Sequence, residues 1–258
     1  MNITLSCTWN PHGESPQLER LWPQLETAYS AIAIAVRPGK LAEVAELNRL
    51  DKLTLFEMDA VGWGRYQELE WALADGPDYI HYADLDTILY WVENRAQEWR
   101  ETLAAFSETD CLVIGRSRRA FETRPQAIRQ TERIINRVFS HVLGQEIDFG
   151  LGNRGYSRRA AAVIIEQSRP GHWGDAEWPV LIQQAGLKVD YRAIDGADWL
   201  PSDRSLAAVP TAAVPTAAAR QQLAEAYDHR TKSWARRVQM AQEIIEQGLA
   251  VVRDQVRD

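Results

Sequence analysis

Residues 79–91 read YIHYADLDTILYW, apolar and aromatic except for two aspartates, Asp84 and Asp86. A strand that buries its side chains should not end in two carboxylates without cause, because a buried carboxylate is costly unless it finds a cation or good donors. One reading is a strand end followed by a helix, with Asp86 or Thr87 as the N-cap. The other is a cation site at the carboxyl edge of a sheet.

Around this stretch, short apolar runs alternate with helical patterns. ITLSCTW (3–9), SAIAIAV (30–36), LTLFEMD (53–59) and YIHYADLD (79–86) read as strands. SPQLERLWPQL (15–25), GKLAEVAELNRL (39–50) and GRYQELEWALADG (64–76) read as the helices between them. Such alternation predicts an α/β fold with a mostly parallel sheet flanked by helices. In such sheets ligands bind beyond the carboxyl ends of the strands, which places both aspartates at the ligand edge. A helix bearing Trp91, Trp99, Leu103 and Phe106 follows, then a strand at 110–117, a helix at 125–143 and a strand at 187–194.

The segment AAVPTAAVPT (207–216) reads as a Pro/Ala linker after a first domain at 1–206. Beyond it, 217–258 reads as one long C-terminal helix, with Leu223, Tyr227, Trp234, Val238, Ala241, Ile245, Leu249 and Val252 on its apolar stripe. That helix either docks on its own domain or forms a homodimer.

The 258 residues carry 36 acidic against 29 basic side chains, a net charge of −7, which argues against a nucleic-acid partner. Two cysteines, Cys7 and Cys111, sit inside strand patterns, so no disulfide framework is expected. No window reaches membrane-spanning length and the first residues lack a secretory pattern, so the expected location is cytoplasmic, with peripheral membrane contact the weaker alternative.

Four segments, in order, resemble the nucleotide-sugar glycosyltransferases of the GT-A fold, nearest the family 2 or polyprenyl-phosphate sugar synthase type. They are the alternating front half; GWGRYQELEWALADGPDYIHYADLD, ending in an Asp-x-Asp motif; RQTERIINRVFSHVLGQEIDFGLGNRGYSRRAA; and GDAEWPVLIQQAGLKV. Together they span roughly residues 1–195. The resemblance implies transfer of a sugar from a nucleotide diphosphate sugar to a hydroxyl acceptor, small or lipid-linked, with Mg²⁺ or Mn²⁺ as cofactor and inversion favoured. It implies Asp86 as direct metal ligand, Asp84 at the ribose or the metal, and His172 as a further ligand. Arg65, Asn10 and Glu14 would face the donor. Asp175 or Glu177 would take the acceptor proton, and Asp148, Gly152, Arg154 and Trp173 would lie beside the sugar and acceptor.

Each residue also has a plainer reading: Arg65 as a solvated first-turn residue, Asp175 and Glu177 as helix caps, His172 as a loop histidine. The chain departs from the family after its second strand, where VRPGK carries no acid. Two other functions compete. One is a non-catalytic GT-A-like binding protein. The other is a sugar-1-phosphate nucleotidyltransferase, against which CTWNPHGESPQLERL offers one glycine and no lysine for a phosphate loop.

Overall fold

A computed structural model describes residues 1–59, 64–168, 174–200 and 216–254. His172, Trp173, the side chain of Asp175 and the linker at 207–215 lie outside the described residues.

Four parallel strands build the first half: β1 (Ile3–Trp9), β2 (Ala31–Val36), β3 (Leu53–Glu57) and β4 (Tyr79–Asp84). Then come β5 (Cys111–Arg116), β6 (Asn153–Ser157) and β7 (Val189–Ile194), giving one sheet of order β3-β2-β1-β4-β6-β5-β7. β6 is antiparallel to both its neighbours, and β5 and β7 are parallel to each other. The helices are α1 (Ser15–Ala28), α2 (Gly64–Ala74), α3 (Leu85–Ala104), α4 (Arg118–Glu122), α5 (Gln126–Leu143), α6 (Arg158–Gln167), α7 (Gly174–Gln184), α8 (Ala217–Asp228) and α9 (Thr231–Asp254). The mostly parallel, helix-flanked sheet is the one the alternation predicts.

Period-2 alternation divides the core. Leu5, Cys7, Ala83, Leu112 and Ile114 pack on one face under α1 and α3, whereas Ile80, Tyr82, Cys111 and Val113 pack on the other under α2, α5, α6 and α7. Both cysteines are free and buried. The polar His81 is fully buried but satisfied: Trp99 donates to the Tyr29 hydroxyl at 3.0 Å, that hydroxyl lies 2.6 Å from His81 Nδ1, and His81 Nε2 lies 2.8 Å from Asn153 Oδ1. Burial lowers His81 to about 4, so it stays neutral and ties β4 to β6.

Three elements differ from the sequence reading. The helix expected at 39–50 is a 3-10 segment, Leu41–Arg49, which buries Val44 and Leu47 at a three-residue step. β6 was not anticipated, because NRGYS contains no apolar run, yet all five residues are buried. The single C-terminal helix is two helices, broken at 229–230. Its inward face follows the expected stripe only in part: Tyr227 and Ala241 are buried as expected, but Ser233, Ile244 and Gly248 are buried too while Val238 is 55% exposed.

α8 and α9 pack on the domain itself. The Asp228 carboxylate accepts from the Gln126 and Ala127 amides at 2.7 and 2.8 Å, satisfying the exposed end of α5. At Gly248, α9 passes so close to Phe139 that a Cβ would meet its ring at 2.4 Å. Among the described residues no helix is long and apolar enough to cross a membrane.

Candidate active site

β4 ends on Asp84, whose backbone is extended at the N-cap position of α3 although its side chain does not cap the helix. The expected cap was Asp86 or Thr87; instead Asp86 sits in the first turn, where its Oδ1 accepts from the Thr87 amide at 2.7 Å. The Asp84 carboxylate turns back toward the sheet edge. Its Oδ1 accepts from the Thr8 hydroxyl at 2.7 Å and lies 3.5 Å from Arg65 Nη2. Arg65, in the first turn of α2, also stands over the Tyr82 ring, 5.7 Å from its centroid.

Burial raises Asp86 to about 6, and the neighbouring Asp84 and Glu14 carboxylates push in the same direction. Glu14 is nearly buried and accepts from Trp9 Nε1 at 3.2 Å and from the His12 amide at 2.7 Å. Asn10 lies in the same β1–α1 turn, with Nδ2 3.4 Å from His12 Nε2. A buried carboxylate that resists ionisation beside others, as Asp86 does, is one whose charge a hard divalent cation would relieve. The carboxylates of Asp84 and Asp86 are of the chemistry that fits such an ion, two oxygen donors that would need further ligands to complete a shell. Among the described residues no group of three or more metal-ligating side chains is assembled.

Glu68 joins this cluster without having been singled out in the sequence. It is fully buried one turn after Arg65, 3.4 Å from Ser6 Oγ, and one of its oxygens has no partner. Burial pushes its carboxyl well above the usual range; Asp84 adds to the shift and Arg65 opposes it. The signal was present in helical spacing: Glu68, Leu69 and Ala72 are buried on one face of α2.

Two cavities that share a wall open at Asp84. One, of about 200 Å³, runs between Arg65, Gly152, Phe149 and the α9 residues Arg237 and Met240. The other, of about 240 Å³, continues past Asp86 and Tyr90 toward Arg124 and Trp199. Asp84, Glu132, Gly150, Leu151 and Arg237 line both. The Trp199 side is anchored by Glu98, which accepts from the Asp195 and Gly196 amides at 2.8 and 2.9 Å.

The 148–152 loop forms the opposite wall. Asp148 pairs with the fully buried Arg116 through side chain and backbone, and Asn136 donates to it at 2.8 Å. Burial opposes ionisation of Asp148, but the Arg116 charge and hydrogen bonds hold it well below the usual carboxylate range. Arg116 also pairs with Glu132 at 2.7 Å, and Glu132 in turn with Arg237 at 2.7 Å. A Cβ at Gly150 would fall 2.5 Å from Arg116 Nη2, so glycine lets the loop close over this pair. Gly152, with φ of 65°, takes the left-handed turn into β6.

Of the other expected residues, Asp148 and Arg154 are placed inward rather than toward a ligand. Arg154 is fully buried and donates to the Asn153 and Phe149 carbonyls at 2.7 and 3.0 Å. Glu177 is 5% exposed, and its Oε2 accepts from Ser168 at 3.0 Å and from Gln247 of α9 at 2.7 Å. Asp84, Asp86, Arg65 and Gly152 are brought together at the cavities, and Asn10 and Glu14 occupy the adjoining β1–α1 turn.

No protein-family model and no curated protein matches the chain. Solved structures do. Glucosyl-3-phosphoglycerate synthase from Mycobacterium tuberculosis in complex with UDP superposes with a TM-score of 0.52 at 10% identity, covering 80% of this chain and 73% of that one. A 4-diphosphocytidyl-2C-methyl-D-erythritol synthase from Anaerococcus prevotii superposes with a TM-score of 0.51 at 10% identity, covering 89% of this chain and 99% of that one. The fold is GT-A-like, as the resemblance in sequence implied.

Proposed function

We propose that the protein is a glycosyltransferase that moves a sugar from a nucleotide diphosphate sugar to a hydroxyl acceptor. The observation that carries this reading is the placement of Asp84 and Asp86 at the end of β4, where they open on cavities that Arg65, Arg124 and Arg237 also line. In the transfer the acceptor oxygen bonds to the anomeric carbon, the anomeric C–O bond breaks, and the nucleotide diphosphate leaves with the electron pair. Mg²⁺ or Mn²⁺ held by Asp86, with Asp84 beside it, would neutralise charge developing on the diphosphate. Arg65 would pair with the donor, and its contact with Asp84 holds it at the sheet edge. Asn10 and the Glu14-braced turn would border the nucleoside.

The acceptor proton needs a base if configuration inverts. We assign it to Asp175, because the hydrogen bonds of Glu177 to Ser168 and Gln247 suit a residue that fixes α7 against α9. The fold likeness to the diphosphocytidyl synthase supports a nucleotidyltransferase as second reading. The β1–α1 turn speaks against it, since residues 10–14 supply no lysine or arginine.

Calorimetric titration of UDP and GDP, with and without Mn²⁺, tests the donor site on the wild type and on Asp86→Ala. Metal-dependent binding that disappears in the variant is expected. Nucleotide binding that is indifferent to both metal and Asp86 would refute the assignment, and failure of both nucleotides to bind a folded protein would favour a non-catalytic role.

A further inference from the structure

A third cavity, open and of about 740 Å³, lies between the C-terminal half of α5 and β7, the last strand of the sheet. It shares no lining residue with the two cavities at Asp84. Arg137 and His141, one helical turn apart on α5, both line it. Both are exposed, and neither side chain has an ion pair or hydrogen bond among the described residues. Two carboxylates line it as well. Asp148 is committed to Arg116, and Glu146 pairs with neither cation. Tyr191 supplies the β7 wall and is seated by Gly115, where a Cβ would fall 2.6 Å from its ring. The helix dipole accounts for His141, in the last turn of α5, but its field fades within that turn and leaves Arg137 unexplained.

The segment that closes this cavity also closes the other two. Residues 146–148 face it, whereas 149–152 face the cavities at Asp84. Asn136, beside Arg137 on α5, holds the junction: it donates to Asp148 at 2.8 Å and accepts from the Phe149 amide at 2.9 Å. From Asp148 the contacts run through Arg116 and Glu132 to Arg237, which lines both Asp84 cavities. We propose that the third cavity is an effector site, which takes a small phosphate-bearing molecule between Arg137 and His141 and passes its occupancy to the Asp84 cavities through Asn136 and the 148–152 loop. A guanidinium fork beside an imidazole suits the several oxygens of a phosphate end. An anion that draws Arg137 toward it acts on the same helical turn that holds Asn136, and coupling between two sites needs such a physically connected element. The site itself stands apart from the glycosyl-transfer reading; only its effect on nucleotide binding rests on that reading.

The first measurement is titration of inorganic phosphate into the metal-free protein, followed by the His141 ring signal in NMR, assigned with His141→Gln. The signal should move saturably in wild type. The affinity should fall roughly 10–100-fold in Arg137→Gln and recover in part in Arg137→Lys. A His141 signal that does not respond, or responds equally in Arg137→Gln, would overturn the site. The second measurement is calorimetric titration of UDP and GDP in Mg²⁺, with and without phosphate. Phosphate should change nucleotide affinity several-fold in wild type, and the change should shrink in Arg137→Gln. An equal change in both proteins would mean that phosphate competes directly at the donor diphosphate position, and no change in wild type would mean that the cavities are uncoupled; either result overturns the effector role. If no nucleotide binds at all while His141 still reports phosphate through Arg137, the transfer reading falls and the anion site remains.

Discussion

Asp86 is charged at a cost when no cation is present. Its folded value of about 6, set by burial and then by Asp84, lies above the ordinary 3.8. The folded protein therefore holds this proton more tightly than the unfolded chain does, and stability falls as pH rises between those values. In chelator, Asp86→Asn should match wild type near pH 4 and exceed it by about 1–3 kcal/mol near pH 7. Urea melts at both pH values would check this, and a wild type that is the more stable protein at neutral pH would contradict it. Asp148 behaves in the opposite sense. Its ion pair with Arg116 stabilises the fold above the ordinary carboxylate range and is lost as pH falls through its depressed value. Asp148→Ala should cost about 3–5 kcal/mol in a urea melt at neutral pH, because it strips a buried arginine of a partner. Asp84 and Asp86 were legible in sequence because charge interrupted an apolar run. Arg124 was not, since an arginine before a proline reads the same whether it faces water or a cavity.

At the level of elements, α9 gives the clearest contrast. Its helicity could be read from three- and four-residue spacing, but its inward face only in part, at Ala241, Ile245 and Val252. Arg237 and Gly248 occupy that face, one to pair with Glu132 and the other to admit Phe139, so an apolar stripe alone pointed wrongly to Val238. Gly248→Ala should cost about 1–3 kcal/mol by overpacking the α5–α9 contact, as measured by denaturant midpoint. Loss of less than about 0.5 kcal/mol would mean that Phe139 yields freely. The first four strands were legible because they are long apolar runs with parallel neighbours. β6 was not, because its burial depends on Asn153 and Arg154 finding partners that only the folded sheet supplies.

Over the whole molecule, the C-terminal pair of helices is part of the core rather than an appendage. Asp228 caps α5, Gln247 reaches Glu177, and Ala241 and Ile244 join the cluster around Phe139. A chain ending at residue 215 should bind a hydrophobic dye and lose its cooperative melt, because it uncovers Ile135, Phe139 and Ala176. A sharp transition in that shortened chain would show instead that 1–215 folds alone. Arg237 has a consequence for how the protein comes into being. A ribosome makes α9 after every other described element, and Arg237 lines both cavities beside Asp84. Helices and strands can begin to form while synthesis continues, but neither the packed core around Phe139 nor the outer wall of the pocket is complete until α9 has left the exit tunnel. A nascent chain stalled before α9 would thus leave Asp84 and Asp86 without the enclosing wall that Arg237 and Met240 supply.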